Sequence, residues 1–192
     1  MTFEGYFSQQ DDILKNKLGI SDPALLREVE ETIVSLRMAE LISQPPRWQK
    51  DFKYLKAVHR KLFSDIYSFA GKVRTVDIAK GKSAFCYVQN IDSEQHRIFS
   101  NMNQLAWNKL TKNDFADKLA VFSADLNALH PFREGNGRAL RTYLILFAAR
   151  YGYYLDFSAV EHESLMEADI RAFYGDLNML KAIYRDILIT AN

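Results

Sequence analysis

The sequence has few of the residues that build covalent or metal-based frameworks. It contains one cysteine and four histidines among 192 residues. A single cysteine cannot form a disulfide within the chain, and these counts exclude a cysteine-rich zinc or disulfide framework. Cys86 is most simply interpreted as a small buried residue, and an exposed thiol is the alternative.

A strong charge of either sign is also missing. Lysine and arginine total 25 and aspartate and glutamate total 24, which leaves a formal net charge of +1. Attraction to nucleic acid or to a membrane surface needs a basic excess, so we expect neither as a partner. No apolar run has the length of a membrane span, and the N-terminus lacks the basic and apolar regions of a signal peptide. We therefore expect a cytoplasmic protein.

The length and composition are typical of one globular domain. Hydrophobic residues make up 48% of the chain and charged residues 26%. A chain of this length buries roughly 70% of its unfolded surface, so a second domain is not needed. We find no repeat, low-complexity tract or linker. We predict a mainly α single domain over residues 1–192, with residues 1–20 as an N-terminal arm.

Apolar residues at spacings of three and four predict most of the helices. Thr111, with Asp114 at the capping-box position, should begin the helix that leads to the most informative stretch. The predicted helices run from Pro23 to before Pro45, from Leu55 to Phe69 with a stop at Gly71, from Asp92 or Ser93 to Trp107, from Thr111 to Leu129, from near Asn136 onward, and through residues 144–154, 164–173 and 178–188.

Residues 73–88 have a different pattern. Apolar residues on either side flank Lys80, Gly81 and Lys82, which is a turn signal, so we predict a β-hairpin. A two-stranded ribbon is marginally stable unless it packs on another element. We therefore expect this hairpin to lie against the helices.

The residues from His130 to Arg141 read His-Pro-Phe-Arg-Glu-Gly-Asn-Gly-Arg-Ala-Leu-Arg. Pro131 disfavours the α conformation in the residue before it, so His130 should stand at a helix end near the mouth of a cavity. Residues 135–137 tolerate left-handed backbone angles, so consecutive amides there can form a nest. At the N-terminus of the next helix, such a nest suits a phosphate.

Charged side chains extend this anion site. Arg138 and Arg141 are three residues apart, so both guanidinium groups can reach the same phosphates. Glu134 would repel phosphates unless a Mg²⁺ ion bridges them, and magnesium needs only one or two carboxylates besides phosphate and water. His130, with a reference pKa of about 6.5, can accept a proton from a hydroxyl. A plain helix corner with solvated arginines is the alternative, and it does not explain the set as a whole.

This ordered set resembles the signature of Fic-domain proteins, His-x-Phe-x-Asp/Glu-Gly-Asn-Gly-Arg-x-x-Arg, at every specified position. The resemblance implies a protein adenylyltransferase, a nucleotidyltransferase that moves AMP from ATP to a Ser, Thr or Tyr hydroxyl of a target protein and releases pyrophosphate. It also implies the following roles: His130 as general base, Glu134 as Mg²⁺ ligand, Gly135, Asn136 and Gly137 as phosphate cradle, Arg138 and Arg141 as clamps on the β- and γ-phosphates, and Phe132 as an inward anchor.

Gly137 separates two kinds of relative. Doc-type members, which act as kinases, carry Lys at this position, so the glycine favours attack at the α-phosphate. Two alternatives stay open. The protein could be a Fic-like transferase of another group, such as UMP, phosphate or a phospho-alcohol, or a non-catalytic nucleotide-binding regulator.

The hairpin of residues 73–88 resembles the flap that covers the active site in Fic proteins. A target segment could pair with its free edge and hold a hydroxyl near His130. Lys80 and Gly81 could touch the nucleotide, and a solvated turn is the alternative. Asn127, one helical turn before His130, could frame the nucleotide pocket, and a surface asparagine is the alternative.

Many Fic proteins carry an inhibitory helix with the string Ser/Thr-x-x-x-Glu-Gly/Asn, whose Glu pairs with the second signature arginine. The sequence contains no such string. We therefore predict a toxin whose small antitoxin partner supplies the inhibitory Glu to Arg141. His59 could be a metal ligand on spacing alone. An ordinary, partly buried histidine is favoured, because it has no ligand partner at helical distance.

Overall fold

The structure, a computed structural model, describes Tyr6, residues 13–80 and residues 83–191, with the side chains of Lys80 and Ser83 left out. This part is mainly helical, which confirms the predicted fold class. The helices are α1 (Pro23–Ser43), α2 (Phe52–Phe63), α3 (Ile91–Gln104), α4 (Lys112–Leu129), α5 (Asn136–Ala149), α6 (His162–Phe173) and α7 (Asn178–Ile187). Two antiparallel pairs join β1 (Ala79–Lys80) to β2 (Ser83–Ala84) and β3 (Tyr153–Leu155) to β4 (Leu188–Thr190).

Side-chain caps set the helix starts that matter for the site. The Asp22 carboxylate accepts hydrogen bonds from the amides of Ala24 and Leu25 at the start of α1. The Thr111 hydroxyl accepts from the Asp114 amide and donates to the Asp114 carboxylate at 2.7 Å. Such caps satisfy amides that have no partner within the helix. The Thr111 cap fixes the start of α4, the helix that His130 follows.

Helix α5 lies at the centre of the core. Every residue from Thr142 to Ala148 is buried, as expected for a helix with neighbours on all sides. The Tyr143 ring lies 5.8 to 6.2 Å from the rings of Trp48, Phe99 and Phe122. Since α2 and α4 pack on α5, the loop between α4 and α5 is held among three helices.

Helices α2 and α3 are shorter than predicted. Helix α2 ends at Phe63 and does not continue to Phe69, although Ile66 and Phe69 are buried. Ile66 and Phe69 lie in turns, and turns can bury apolar residues at the same spacing of three or four positions as a helix. Helix α3 ends at Gln104, and Trp107 begins a short 3₁₀ turn whose indole N–H donates to the Met102 carbonyl.

The β structure also differs from the prediction. The hairpin within residues 73–88 is present, but each strand pairs over only two residues. The helix predicted to reach Tyr154 ends at Ala149, and Gly152 has a φ of 78°. Tyr153–Leu155 then pairs with Leu188–Thr190, a contact between distant segments that the local pattern did not reveal. Among the described helices, none combines the length and apolar character needed to cross a membrane.

Candidate active site

His130 follows the last residue of α4 in a left-handed conformation, with φ 45° and ψ 60°. It is the only non-glycine residue with a positive φ in the described ranges, and this conformation costs roughly 1–2 kcal/mol. Its Nδ1 lies 3.1 Å from the Asn127 carbonyl. A carbonyl only accepts, so in the neutral ring Nδ1 carries the proton and Nε2 is the basic nitrogen.

The Asn136 side chain closes the loop after His130 into a ring. Its amide oxygen accepts from the Phe132 N–H and its amide nitrogen donates to the Phe132 carbonyl, both at 2.8 Å. The side chain therefore holds the loop, and only the backbone of Asn136 is left for the predicted phosphate cradle. The Phe132 ring points into the core, as expected, and stacks on the His59 ring at 3.8 Å.

The predicted phosphate cradle, residues 135–137, contains one residue with a left-handed backbone conformation. Only Gly135 has a positive φ, of 77°, whereas Asn136 and Gly137 already belong to the first turn of α5. All three residues tolerate left-handed angles, and Gly135 is the one that adopts them. Unpaired amides at the start of a 14-residue helix still favour an anion there. A Cβ on Gly135 would lie 2.3 Å from the Phe63 ring, so a side chain does not fit.

The two signature arginines have different surroundings. Nη2 of Arg138 contacts the Glu30 carboxylate on α1 and lies 3.5 Å from Oε1 of Glu134. The Tyr67 hydroxyl donates to the same Glu30 carboxylate. Burial lowers the pKa of Arg141, while the nearby Asp169 raises it. The sequence pattern did not reveal the contact of Glu30 with Arg138, because it joins residues 108 positions apart.

Glu134 lies at the surface end of this cluster. Its side chain is 43% exposed, and Oε1 accepts from the Gly135 amide at 2.9 Å. No group of three or more acidic, histidine or cysteine side chains that could hold a metal occurs within residues 13–80 and 83–191 or at Tyr6. A single exposed carboxylate fits a Mg²⁺ ion that takes its other ligands from phosphate and water.

His59 is more deeply buried than expected and holds the loop from behind. The residue is fully buried. Its Nδ1 accepts from the Gly71 amide and its Nε2 donates to the Glu134 carbonyl, both at 2.8 Å. Burial lowers its pKa to about 4, so the ring is neutral at pH 7. Because both ring nitrogens are occupied, this geometry favours the interpretation as a buried histidine over that as a metal ligand.

The flap covers the histidine. The Phe85 ring, directly after β2, stacks on the His130 ring at 3.7 Å with an interplanar angle of 17°. Gly81 and the side chain of Lys80 lie outside the described residues, so their proposed contacts with the nucleotide stay predictions. Asn127 contributes its carbonyl to His130 and lines a small cavity with Phe132. The proposed role of its side chain also stays a prediction.

Comparison with known proteins identifies the family. The model of the Fic/DOC family matches residues 49–148. The chain belongs to the Fic/DOC family. It is 36% identical over 179 residues to the probable protein adenylyltransferase y4lH of Sinorhizobium fredii, covering 92% of this chain and 91% of that protein. It is 35% identical over 181 residues to the protein adenylyltransferase VbhT of Bartonella schoenbuchensis, covering 94% of this chain but 38% of VbhT.

Solved structures of Fic/DOC proteins have the same fold. The Bartonella tribocorum BepC protein with bound AMPPNP is 27% identical, with a TM-score of 0.92 and 97% of both chains covered. A Bartonella quintana Fic domain with bound ADP is 26% identical, with a TM-score of 0.92, covering 97% of this chain and 95% of that one. These matches confirm the predicted family and fold, and they confirm the predicted enzyme class, nucleotidyltransferase, at the level of the family.

Proposed function

We propose that this protein is a protein adenylyltransferase that moves AMP from ATP to a Ser, Thr or Tyr hydroxyl of a target protein. The observation that carries this proposal is the orientation of His130, whose Nδ1 donates to the Asn127 carbonyl, so that Nε2 is the basic nitrogen of the neutral ring. The names of the relatives and the nucleotides bound in the similar structures support the same reaction.

The site residues fit an in-line transfer in which atoms and charge balance. The target hydroxyl attacks the α-phosphorus, the bond to pyrophosphate breaks, and the hydroxyl proton passes to Nε2 of His130. Amides at the start of α5 hold the phosphates, and Arg138 and Arg141 bind the β- and γ-phosphates. Glu134 is the residue that would hold Mg²⁺, which neutralises phosphate charge when it is bound.

Labelled ATP tests the reaction. We expect the purified protein, with ATP and Mg²⁺, to label a protein in a cell lysate and to add the mass of one AMP group. His130→Ala should lower the labelling rate by about 100-fold or more while ATP still binds. His96→Ala, which removes an exposed histidine on α3, is the matched control and should label normally.

Each other outcome identifies an alternative. Similar labelling by the His130 variant would show that another group is the base. The added mass of UMP, phosphate or a phospho-alcohol would identify a different transferred group. If the wild-type protein modified neither itself nor the lysate, it would be a nucleotide-binding regulator.

We also propose that the target docks on an edge of the flap. The Phe85 amide donates to the Ile78 carbonyl at 3.2 Å, so these residues form a bonded pair. Bonded and non-bonded pairs alternate in antiparallel strands, which makes Ala79 and Ala84 a non-bonded pair. Their amides and carbonyls therefore point away from the hairpin, where an added strand could bond to them.

A small antitoxin that supplies a glutamate to Arg141 is the partner we propose for regulation. The missing inhibitory string supports this proposal. We expect the chain purified alone from a foreign host to transfer AMP at its full rate. A chain that is inactive alone, with a glutamate of its own against Arg141, would contradict this proposal.

A further inference from the structure

Arg74 is a fully buried cation next to the candidate site. Its side chain has no solvent exposure. Its Nε donates to the His130 carbonyl and its Nη1 to the Val76 carbonyl, both at 2.8 Å, and its Nη2 donates to the Cys86 carbonyl. Burial lowers its pKa, and the charge of Asp77, 3.8 Å from Nη1, raises it. A single guanidinium thus contacts three carbonyls from separate segments.

One of those carbonyls belongs to a strained residue. His130 has a left-handed backbone, and such a conformation persists only when its surroundings fix it. The Arg74 side chain holds the His130 carbonyl, and the Arg74 amide donates to the Pro131 carbonyl at 2.9 Å. The side chain and main chain of Arg74 therefore fix the carbonyl groups of His130 and Pro131. These contacts also fix the direction of the His130 imidazole.

The other two carbonyls belong to the two arms of the flap. Val76 precedes β1 and Cys86 follows β2. The Cys86 amide donates to the Ala128 carbonyl on α4 at 3.0 Å. Next to Cys86, the Phe85 ring stacks on His130. Displacing the base of the flap would therefore displace the ring that covers the histidine.

We propose that Arg74 is a positioning residue that joins the His130 backbone and the base of the flap into one unit. It thereby sets the distance between Nε2 of His130 and the hydroxyl of a target segment that docks on the flap. This inference rests on the proposed transfer reaction. A purely structural role, in which Arg74 only satisfies buried carbonyls, predicts lower stability without a specific loss of turnover.

Arg74→Lys tests the proposal, because lysine keeps the charge but cannot bridge three carbonyls with planar geometry. The control is Trp107→Phe, which removes a buried hydrogen bond to the Met102 carbonyl away from His130 and the flap. Both are assayed well below their unfolding temperatures, with the labelled target purified from the lysate.

We expect Arg74→Lys to lower kcat by about 100-fold, since an error of about 1 Å in position can have this effect. The Kd for ATP with Mg²⁺ should change by less than about threefold, because the phosphate site does not contact Arg74. Trp107→Phe should leave both values near wild type. A wild-type kcat in Arg74→Lys, or a loss of ATP binding as large as the loss of kcat, would overturn the proposal.

Amide hydrogen exchange separates this inference from the transfer reaction. We expect Arg74→Lys to weaken protection of the Cys86 amide by about tenfold or more even without nucleotide. Unchanged protection would overturn the proposed coupling whether or not the wild type transfers AMP. If the wild type transfers nothing but protection falls, the reaction is wrong and the coupling stands.

A milder variant covers the case in which Arg74→Lys does not fold. Asp77 is exposed, accepts from the Val88 amide at 2.8 Å and lies beside Arg74. Asp77→Ala should lower kcat by about fivefold, the effect expected of one hydrogen bond, and leave ATP binding unchanged. An unchanged kcat would contradict the proposal.

Discussion

The signature loop and the flap face each other across His130, but they are held in different ways. The loop is fixed from behind by His59, from within by the Asn136 side chain, and by the Phe63 ring against Gly135. The flap pairs over two residues on each strand and is tied to the body mainly at its base.

This difference fits the division of roles proposed above, with the reaction at the loop and the target on the flap. Chemistry requires atoms placed to within a fraction of an ångström, and the loop has the buried contacts to achieve that. Recognition of an extended segment requires free backbone groups, and a short hairpin provides them. We therefore expect changes in the loop to affect stability and turnover together, and changes in the flap to affect mainly the target.

The largest effect should come from Gly135→Ala. The new Cβ would lie 2.3 Å from the Phe63 ring, and φ is 77°. Strain and overpacking together should lower the free energy of unfolding by about 2 to 5 kcal/mol. Gly152→Ala is the control, since its φ is 78° but nothing lies within 4 Å of the added carbon. Denaturant titration of both variants measures the difference, and equal losses would show that the Phe63 ring moves aside.

Substitution of His59 should have a smaller effect than Gly135→Ala. Two variants separate its contact with the Glu134 carbonyl from its contact with the Gly71 amide. In His59→Gln the side-chain amide can reach the Glu134 carbonyl, whereas in His59→Asn the side-chain oxygen can still accept from the Gly71 amide. If the Glu134 contact matters for Mg²⁺, His59→Asn should need about tenfold more Mg²⁺ for half-maximal labelling than His59→Gln. The same Mg²⁺ requirement in both variants would contradict this role.

The pKa of His59 also predicts how stability changes with acid. The unfolded chain binds a proton at His59 below about pH 6.5, but the folded chain does so only below about pH 4. The unfolded state therefore takes up the proton first, and stability falls as pH drops from 6.5 to 4, by about 3 kcal/mol. Urea titrations at several pH values should show a smaller loss of stability between pH 6.5 and 4 in His59→Gln than in the wild type.

The smallest effect on stability should come from prolines on the flap. Ala79→Pro and Ala84→Pro each remove an amide that points away from the hairpin, a position where proline is tolerated. Each should change the free energy of unfolding by less than about 1 kcal/mol. If the target docks on the β1 edge, labelling should fall in Ala79→Pro and not in Ala84→Pro. If it docks on the β2 edge, the reverse should hold. Equal labelling by both variants would exclude docking by strand addition.

Local patterns predicted the parts of the fold that depend on local chemistry. The starts of α1, α4 and α5 follow from Asp22, Thr111 and the glycine-containing turn, and His130 stands at a helix end because of Pro131. The signature residues could be found because they lie within twelve positions. Their individual roles stay predictions.

Contacts between distant segments could not be predicted in this way. His59 bonds to Glu134 across 75 positions, and Glu30 reaches Arg138 across 108. The pairing of β3 with β4 and the early end of α2 depend on the same kind of long-range packing. Such contacts leave only an ordinary periodic pattern in the sequence, because a buried apolar helix face looks the same whatever it packs against.

The contact of Arg138 with two acids affects which form of the nucleotide enters the site. The carboxylates of Glu30 and Glu134 lie on either side of Arg138 and neutralise its positive charge before a phosphate binds. A nucleotide without a bound cation would therefore be attracted less strongly than the charges of Arg138 and Arg141 alone would predict. The carboxylates of Glu30 and Glu134 would also repel its phosphates. We therefore expect the site to prefer a nucleotide whose charge is already neutralised by a divalent cation.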